Sequence, residues 1–240
     1  MVVITEKVPT HASQTVKDAI KTRRSMRAFL PTSVPKEIIV EILDVAQRAP
    51  SGTNSQPWFT YVITGEAKEA LSVDILKAFD SGGDGYQPEI PIYPEAFFEP
   101  YLERRRKVGW DLYGLLGIEK GDKTKMHLQH GRNFKFFDAP IGLMFSMHRD
   151  MPHSNILDIG MYLQNIMLMA RAKGLHTCPQ VAFTQYHEII RKHLPIGEEE
   201  VLLCGMTLGY AADDAVENTM VTTRDSVRDE VKFIGFKSNR

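Results

Sequence analysis

Cysteine is scarce in this chain. Its 240 residues hold two, Cys178 and Cys204, too few for a disulfide framework and without CxxC spacing, which suits a reducing compartment. No apolar run approaches the ~18 residues that a membrane span requires, and the opening "MVVITEKVPTHASQT" turns acidic and polar too early for a secretory signal. These absences point to a cytoplasmic protein with no membrane partner. An excess of charge of either sign is lacking too: 29 Lys and Arg stand against 30 Asp and Glu, so no global field draws the chain to nucleic acid. No GxGxxG follows a strand, because "GGDGYQP" breaks the spacing, and "GIEKGDKT" sets Gly117 and Gly121 one step too close for a phosphate loop. No GxSxG occurs. His127 and His130 lie at i, i+3, but the histidines are scattered with no Cys or Glu cluster beside them, which argues for a surface or lid role over a metal site.

What is present is an ordinary globular composition, 43% hydrophobic and 25% charged, enough for one domain with a sizeable core. A helix is expected over "SQTVKDAIKTRRSM", with Ser13 as N-cap and Val16, Ala19 and Ile20 on its buried face. A second, over "SVPKEIIVEILDVAQRAP", starts at Ser33 and Pro35, turns Ile38, Ile39, Ile42, Leu43 and Ala46 inward, and stops at Pro50. "WFTYVIT" reads as a strand closed by Gly65, with a helix from Glu66 to Phe79 behind it. Residues from about 80 to 125 lose any steady period and read as a lid-like insertion around one or two helices. A helix near 124–137 and the apolar strand "PIGLMFSM" follow. "HSNILDIGMYLQNIMLMARAKGL" is a helix capped by Ser154 or Asn155 and stopped by Gly174, with Ile156, Ile159, Leu163, Ile166, Met167 and Ala170 inward. A helix over "TQYHEIIRKHL", a strand over "EVLLCGMTLGY" and a polar extension at about 225–240 that closes on "VKFIGF" complete the chain. The class expected is α+β, one domain over residues 1–240 with one sheet.

Two stretches carry chemistry. "RRSMRAFLP" sets Arg23, Arg24 and Arg27 around Ser25. Taken by itself it reads as a solvated helix end, where basic side chains complement the macrodipole by ~0.3–1 kcal/mol each. The other reading is an anion site, since the guanidinium fork and a hydroxyl both suit phosphate or carboxylate. "APSGTNSQPW" has the composition of a tight loop. It is also an unbroken polar patch, and amides at that density can read the edge of a flat heterocycle. The two stretches stand about two dozen residues apart with a helix between them.

At this point the sequence resembles the nitroreductase family of FMN-dependent oxidoreductases. The resemblance rests on "RRSMRAF", "APSGTNSQPW" with "FTYVITGE", "FFDAPIGLMFSM", "IGMYLQNIMLMARAKGLHTCPQ" and "LGYAADDAVENTMVTTRDSV". It implies a mainly antiparallel central sheet surrounded by helices, and an intertwined homodimer with an FMN in each of two interfacial active sites. It further implies NADPH or NADH as electron donor and an aromatic nitro compound, with quinones as further acceptors, in a ping-pong hydride transfer. By the family's pattern Arg23 and Ser25 are phosphate and ribityl contacts, joined by Arg24, and Arg27 faces the pyrimidine end of the flavin. Ser51, Gly52, Asn54 and Gln56 reach in from the other subunit, Pro179 and Gln180 lie on the N5 side, and Arg224 is a second phosphate cation. Asn133 is a further contact, with Gln129 or Arg132 as alternatives if the register shifts by one.

No catalytic side chain is expected, because the reaction takes place on the flavin. Tyr93, Trp110 and Tyr113, with Arg104, Arg105 and Arg106, are the expected substrate-facing residues of the lid. Two rival readings stay open. A reductive dehalogenase of the same fold would gather Glu99, Tyr101, Glu103 and Lys107 in the lid, and a flavin-binding sensor would bind without turnover.

Overall fold

Four antiparallel strands form the sheet: β1 (Phe59–Thr64), β2 (Ile141–His148), β3 (His176–Gln180) and β4 (Glu200–Gly209), in the order β1-β2-β4-β3. The computed structural model describes residues 3–236; positions 237–240 of the expected C-terminal extension lie outside them. The central strands β2 and β4 are buried almost end to end because helices cover both faces of the sheet. Alternate residues turn to opposite sides. Leu143, Phe145 and Met147 join α2 (Lys36–Ala46) and α6 (Ile156–Ala172) in one core, where Trp58 stacks on Tyr162 at 4.7 Å. Met144 and Leu202 join α3 (Gly65–Asp80) and α7 (His187–His193) in the other, around Phe134, Phe136 and Phe183. The architecture is α+β with one mixed helix and sheet body, as the sequence implies.

Several local expectations need correction. The first helix, α1, spans only Val16–Thr22, and its N-cap is Thr15, whose hydroxyl accepts from the Asp18 amide at 3.1 Å. Ser13 is instead buried against Thr22. Because α1 meets α6 along the Ala19 edge, Val16 and Ile20 are left exposed at 71% and 53%. Ser33 does not cap α2, which starts behind Pro35 with no side-chain cap. The helix expected to reach residue 137 is α5 (Lys123–Gly131), after a helix α4 (Tyr101–Leu115) in the insertion. A tight 3-10 run, Arg132–Asp138, replaces the rest, with Phe136, Phe137 and Asp138 at positive φ. At the start of α6, Ile156 is exposed and Asn155 bonds Asp158 at 2.8 Å instead of capping. Strand β3 has no signature in the sequence, since Pro179 withholds a ladder donor, which only an edge strand tolerates.

The N-terminal segment is tied down by two buried groups. Arg171 donates to the carbonyl of His11 at 2.8 Å and to that of Leu175 at 3.1 Å, and His176 Nε2 bonds the carbonyl of Pro9 at 2.8 Å. Burial, reinforced by Arg171, pushes the His176 imidazole down to about 3. An unfolded histidine takes its proton near pH 6.5. Between those values the unfolded chain binds the proton and the folded chain does not, so each pH unit of acidification costs stability, by up to about 1.4 kcal/mol. His176→Asn, which keeps a donor for Pro9, is expected to flatten the loss of stability between pH 6.5 and 4.5 in urea unfolding. An equal slope in both proteins would remove His176 as the cause.

Candidate functional site

Behind α1 the chain runs extended along the edge of β3. Ser25 bridges Thr177, and the Met26 amide donates to the Thr177 carbonyl at 3.2 Å. Extended backbone sends alternate side chains to opposite sides. Met26 and Ala28 go into the core, and Ser25 and Arg27 face outward. There Arg27 borders three adjoining clefts of about 660, 480 and 210 Å³.

The largest cleft lies between the Ser25–Arg27 run, the segment Thr222–Asp225 and α4. The 480 Å³ cleft shares Ser25, Arg27, Thr222 and Arg224 with it and adds Arg23 and Arg24. Arg23, Arg27 and Arg224 form no ion pair among the described residues; Arg27 and Arg224 bond only nearby oxygens of their own segments. Burial, and next the charge of Arg224, holds the Arg23 guanidinium below its ordinary range. Two cations without an acid between them repel each other until an anion arrives. This donor set fits a phosphate group. The guanidinium of Arg24 donates to the carbonyls of Glu6, Lys7 and Thr219 and so staples the N-terminal segment to the C-terminal one.

In the insertion, Glu103, Arg104, Lys107, Val108 and Asp111 line the cleft at helical spacing, one face of α4. Three of its cations are already engaged. Arg104 pairs with Asp225 and with Glu230, Lys107 pairs with Asp111 at 2.5 Å, and Arg105 lies over the rings of Phe97 and Tyr93 at 4.4 and 5.2 Å. Of the three aromatics expected to face substrate, Tyr113 borders the 210 Å³ cleft with Arg27, whereas Tyr93 and Trp110 are exposed and border none of the three clefts.

Gln129 and Asn133, one turn apart, also face the 210 Å³ cleft. Arg132 turns away to Glu217 at 2.6 Å and Asp138 at 3.2 Å. Gln180 is buried with its carboxamide spent on the Asn133 carbonyl at 2.8 Å and on Thr207, so at Pro179–Gln180 only backbone and the half-buried Pro179 ring are free to meet a ligand. The loop of Ser51, Gly52, Asn54 and Gln56 is anchored by the Gly52 amide on Asp158 at 3.2 Å and by the Gln56 amide on Ser51 at 3.0 Å. Thr53, Asn54 and Gln56 sit at positive φ, and the loop borders none of the clefts around Arg27. Burial pushes the Cys178 thiol up, and Cys204 to about 12, so neither is a thiolate near neutrality. His127 stacks on Phe79 and bonds Asp80, and no metal-holding cluster occurs among the described residues.

Functional residues to which the motifs assign no role are in the turn Val216–Thr219. Buried Glu217 receives Arg132, and buried Asn218 bonds the backbone of Arg27 and Ala28. "VENT" is a polar tetrapeptide, and nothing local shows that two of its side chains are buried.

Comparison with known proteins adds a family and close relatives. The model of the "Nitroreductase family" matches residues 20–210. A nitrobenzene nitroreductase of Ectopseudomonas oleovorans is 37% identical over 91% of this chain and 96% of its own length. A 4-nitrobenzoate reductase of Pseudomonas putida is 39% identical over 90% and 94%. Among solved structures, the FMN and NADPH-dependent nitroreductase NfnB from sphigopyxis sp. strain HMH superposes with a TM-score of 0.90 at 35% identity, covering 92% of this chain and 100% of that one. NfnB from Mycobacterium smegmatis in complex with NADPH gives 0.85 at 31%, over 90% and 96%.

Proposed function

The chain belongs to the nitroreductase family, and we propose that it reduces nitroaromatic compounds with electrons from NADPH or NADH, using a bound FMN. The observation that carries this reading is the convergence of Arg23, Arg27 and Arg224, with Ser25, on one cleft, where none of the three is paired with an acid among the described residues. Arg23, Ser25 and Arg224 are assigned to the phosphate and ribityl chain. Arg27 is assigned to the flavin ring, where a cation favours the charge gained on reduction. Gln129 and Asn133 share its cleft. A flavin, when bound, supplies reversible two-electron transfer. The protein binds the reactants, and the cleft beneath α4 takes donor and acceptor in turn, a ping-pong scheme that extends to quinones. No side chain need act as acid, since water supplies the protons.

The site is completed by a second copy of the chain. Ser51, Gly52, Asn54 and Gln56 lie off the arginine clefts of their own chain, which suits a contribution to the partner's site. Exposed Val16, Ile20 and Leu157 supply apolar surface for the homodimer. Residues 1–240 then form a single domain with α4 as lid, with FMN, NAD(P)H and an aromatic acceptor as its small-molecule partners. The dehalogenase reading is weaker, because Lys107 is already paired with Asp111 inside the lid.

The test is an absorbance titration. Anaerobic NADPH or NADH is expected to bleach flavin bands that nitrobenzene restores; a protein that cannot be loaded with FMN overturns the assignment, and one that bleaches but is never reoxidised is a sensor. Acceptor choice gives a sharper outcome. Tyr113→Ala is expected to change the ratio of kcat/KM for nitrobenzene and 4-nitrobenzoate by about tenfold while FMN stays bound, and Trp110→Ala by less than about twofold. Loss of FMN from the Tyr113 variant would place that ring in the cofactor site instead.

A further inference from the structure

The amides of Arg27 and Ala28 bond no main-chain acceptor, although their neighbours do: Met26 donates to Thr177, Phe29 to Phe137 and Leu30 to Tyr210. One buried side chain takes both. Asn218 Oδ1 accepts from Arg27 N at 2.7 Å and Ala28 N at 3.2 Å, while its Nδ2 donates to the carbonyls of Ala28 and Ala212, each at 2.8 Å. All the hydrogen-bonding capacity of the carboxamide on those sides is used, and the residue is 1% exposed. The turn that carries it, Val216–Thr219, is itself fixed on either side of Asn218. Buried Glu217 holds Arg132, and the Thr219 carbonyl accepts from Glu6 N and Arg24. Three residues further on begins the wall Thr222–Arg224.

We propose that Asn218 is a positioning residue for Arg27. Its carboxamide sets the backbone direction at Arg27 and Ala28, so that the guanidinium is presented to the cleft at a fixed distance from Arg224. This deepens the functional reading above and rests on it for the identity of the ligand. Asn218 touches no ligand itself. It acts through the Arg27 backbone, and that makes a specific prediction about coupling.

The experiment is a double-mutant cycle read by FMN binding to the apoprotein. Asn218→Ala is expected to weaken FMN about tenfold in the parent, the effect of loosening one charge-assisted contact, and by less than about twofold when Arg27→Met is already present. Leu71→Ala, a cavity in the core across the sheet, lowers stability without that loss and so reads out a merely structural effect. An equal loss in both backgrounds, or none in the parent, overturns the proposal. A measurement on the unaltered protein guards against variants that do not fold: the amides of Arg27 and Ala28 are expected to exchange with solvent as slowly as those of Met26 and Leu30. Fast exchange at Arg27 overturns the proposal whatever the variants do. A parent that binds no FMN fails the functional reading instead and leaves the amide measurement to decide this one.

Discussion

Replacing Arg23 with glutamine is expected to weaken FMN binding about 30-fold, roughly 2 kcal/mol for a charge-assisted contact to phosphate, and at the same time to raise the melting temperature of the apoprotein. The two effects have one cause. Without a ligand the Arg23 guanidinium is partly buried beside Arg224 with no acid to answer it, so the empty protein carries an uncompensated charge. Removing it relieves desolvation and repulsion together, and the apoprotein melt is expected to rise by about 1–2 °C. With FMN present the sign reverses. Arg24 is the internal contrast, because its guanidinium holds the carbonyls of Glu6, Lys7 and Thr219. Arg24→Gln is expected to lower both melts and change FMN affinity by less than about threefold. Fluorescence titration with FMN and thermal melts with and without it separate the cases. Two arginines that behave alike in both assays would mean that the cation pair at Arg23 and Arg224 is not the phosphate site.

Much of this was legible before the fold. Helices α2, α3 and α6 announced themselves because their apolar residues recur at helical spacing and face a sheet, so period and burial report the same thing. The arginine run and the later "TTR" were legible as cations, and the fold brings them to one cleft. Legibility failed where a role depends on what lies opposite. Val16 and Ile20 have the spacing of a buried stripe, but which edge of α1 meets α6 is decided elsewhere in the chain. The resemblance puts Gln180 beside the flavin, but that its amide bonds Asn133 and Thr207 is something no local pattern reveals. Two arginines of the insertion read as free cations until their partners appear: Asp225 and Glu230 for Arg104, and the Phe97 and Tyr93 rings for Arg105. Asn218 lay hidden for the converse reason, since a polar residue in a polar turn gives no sign that it is buried. Long-range pairing, not local propensity, set each of these.

The same dependence on distant neighbours leaves two glycines of the core no room for a side chain. Gly142 in β2 and Gly205 in β4 lie on adjacent strands, with Gly205 opposite Met144, two residues along from Gly142. A Cβ on Gly142 would collide with the ring of Phe136, and one on Gly205 with the ring of Phe183. Those rings stack on each other at 4.6 Å and are fully buried, so neither can retreat without disturbing the other. Phe136 is further confined because its backbone, like that of Phe137 and Asp138, is at positive φ, a conformation that costs on the order of 1 kcal/mol for such residues and persists only where packing holds it. Gly142→Ala and Gly205→Ala are therefore each expected to cost about 3 kcal/mol, the upper range for overpacking, and to lower the melting temperature by about 6–12 °C. In the Phe136→Leu background the space above Gly142 opens, and the added cost of Gly142→Ala is expected to fall by more than half while that of Gly205→Ala, pressing on Phe183, falls less. Urea unfolding of the three single and two double variants decides it: additive losses at Gly142 and Phe136 would mean that strand geometry, not the ring above it, requires glycine there.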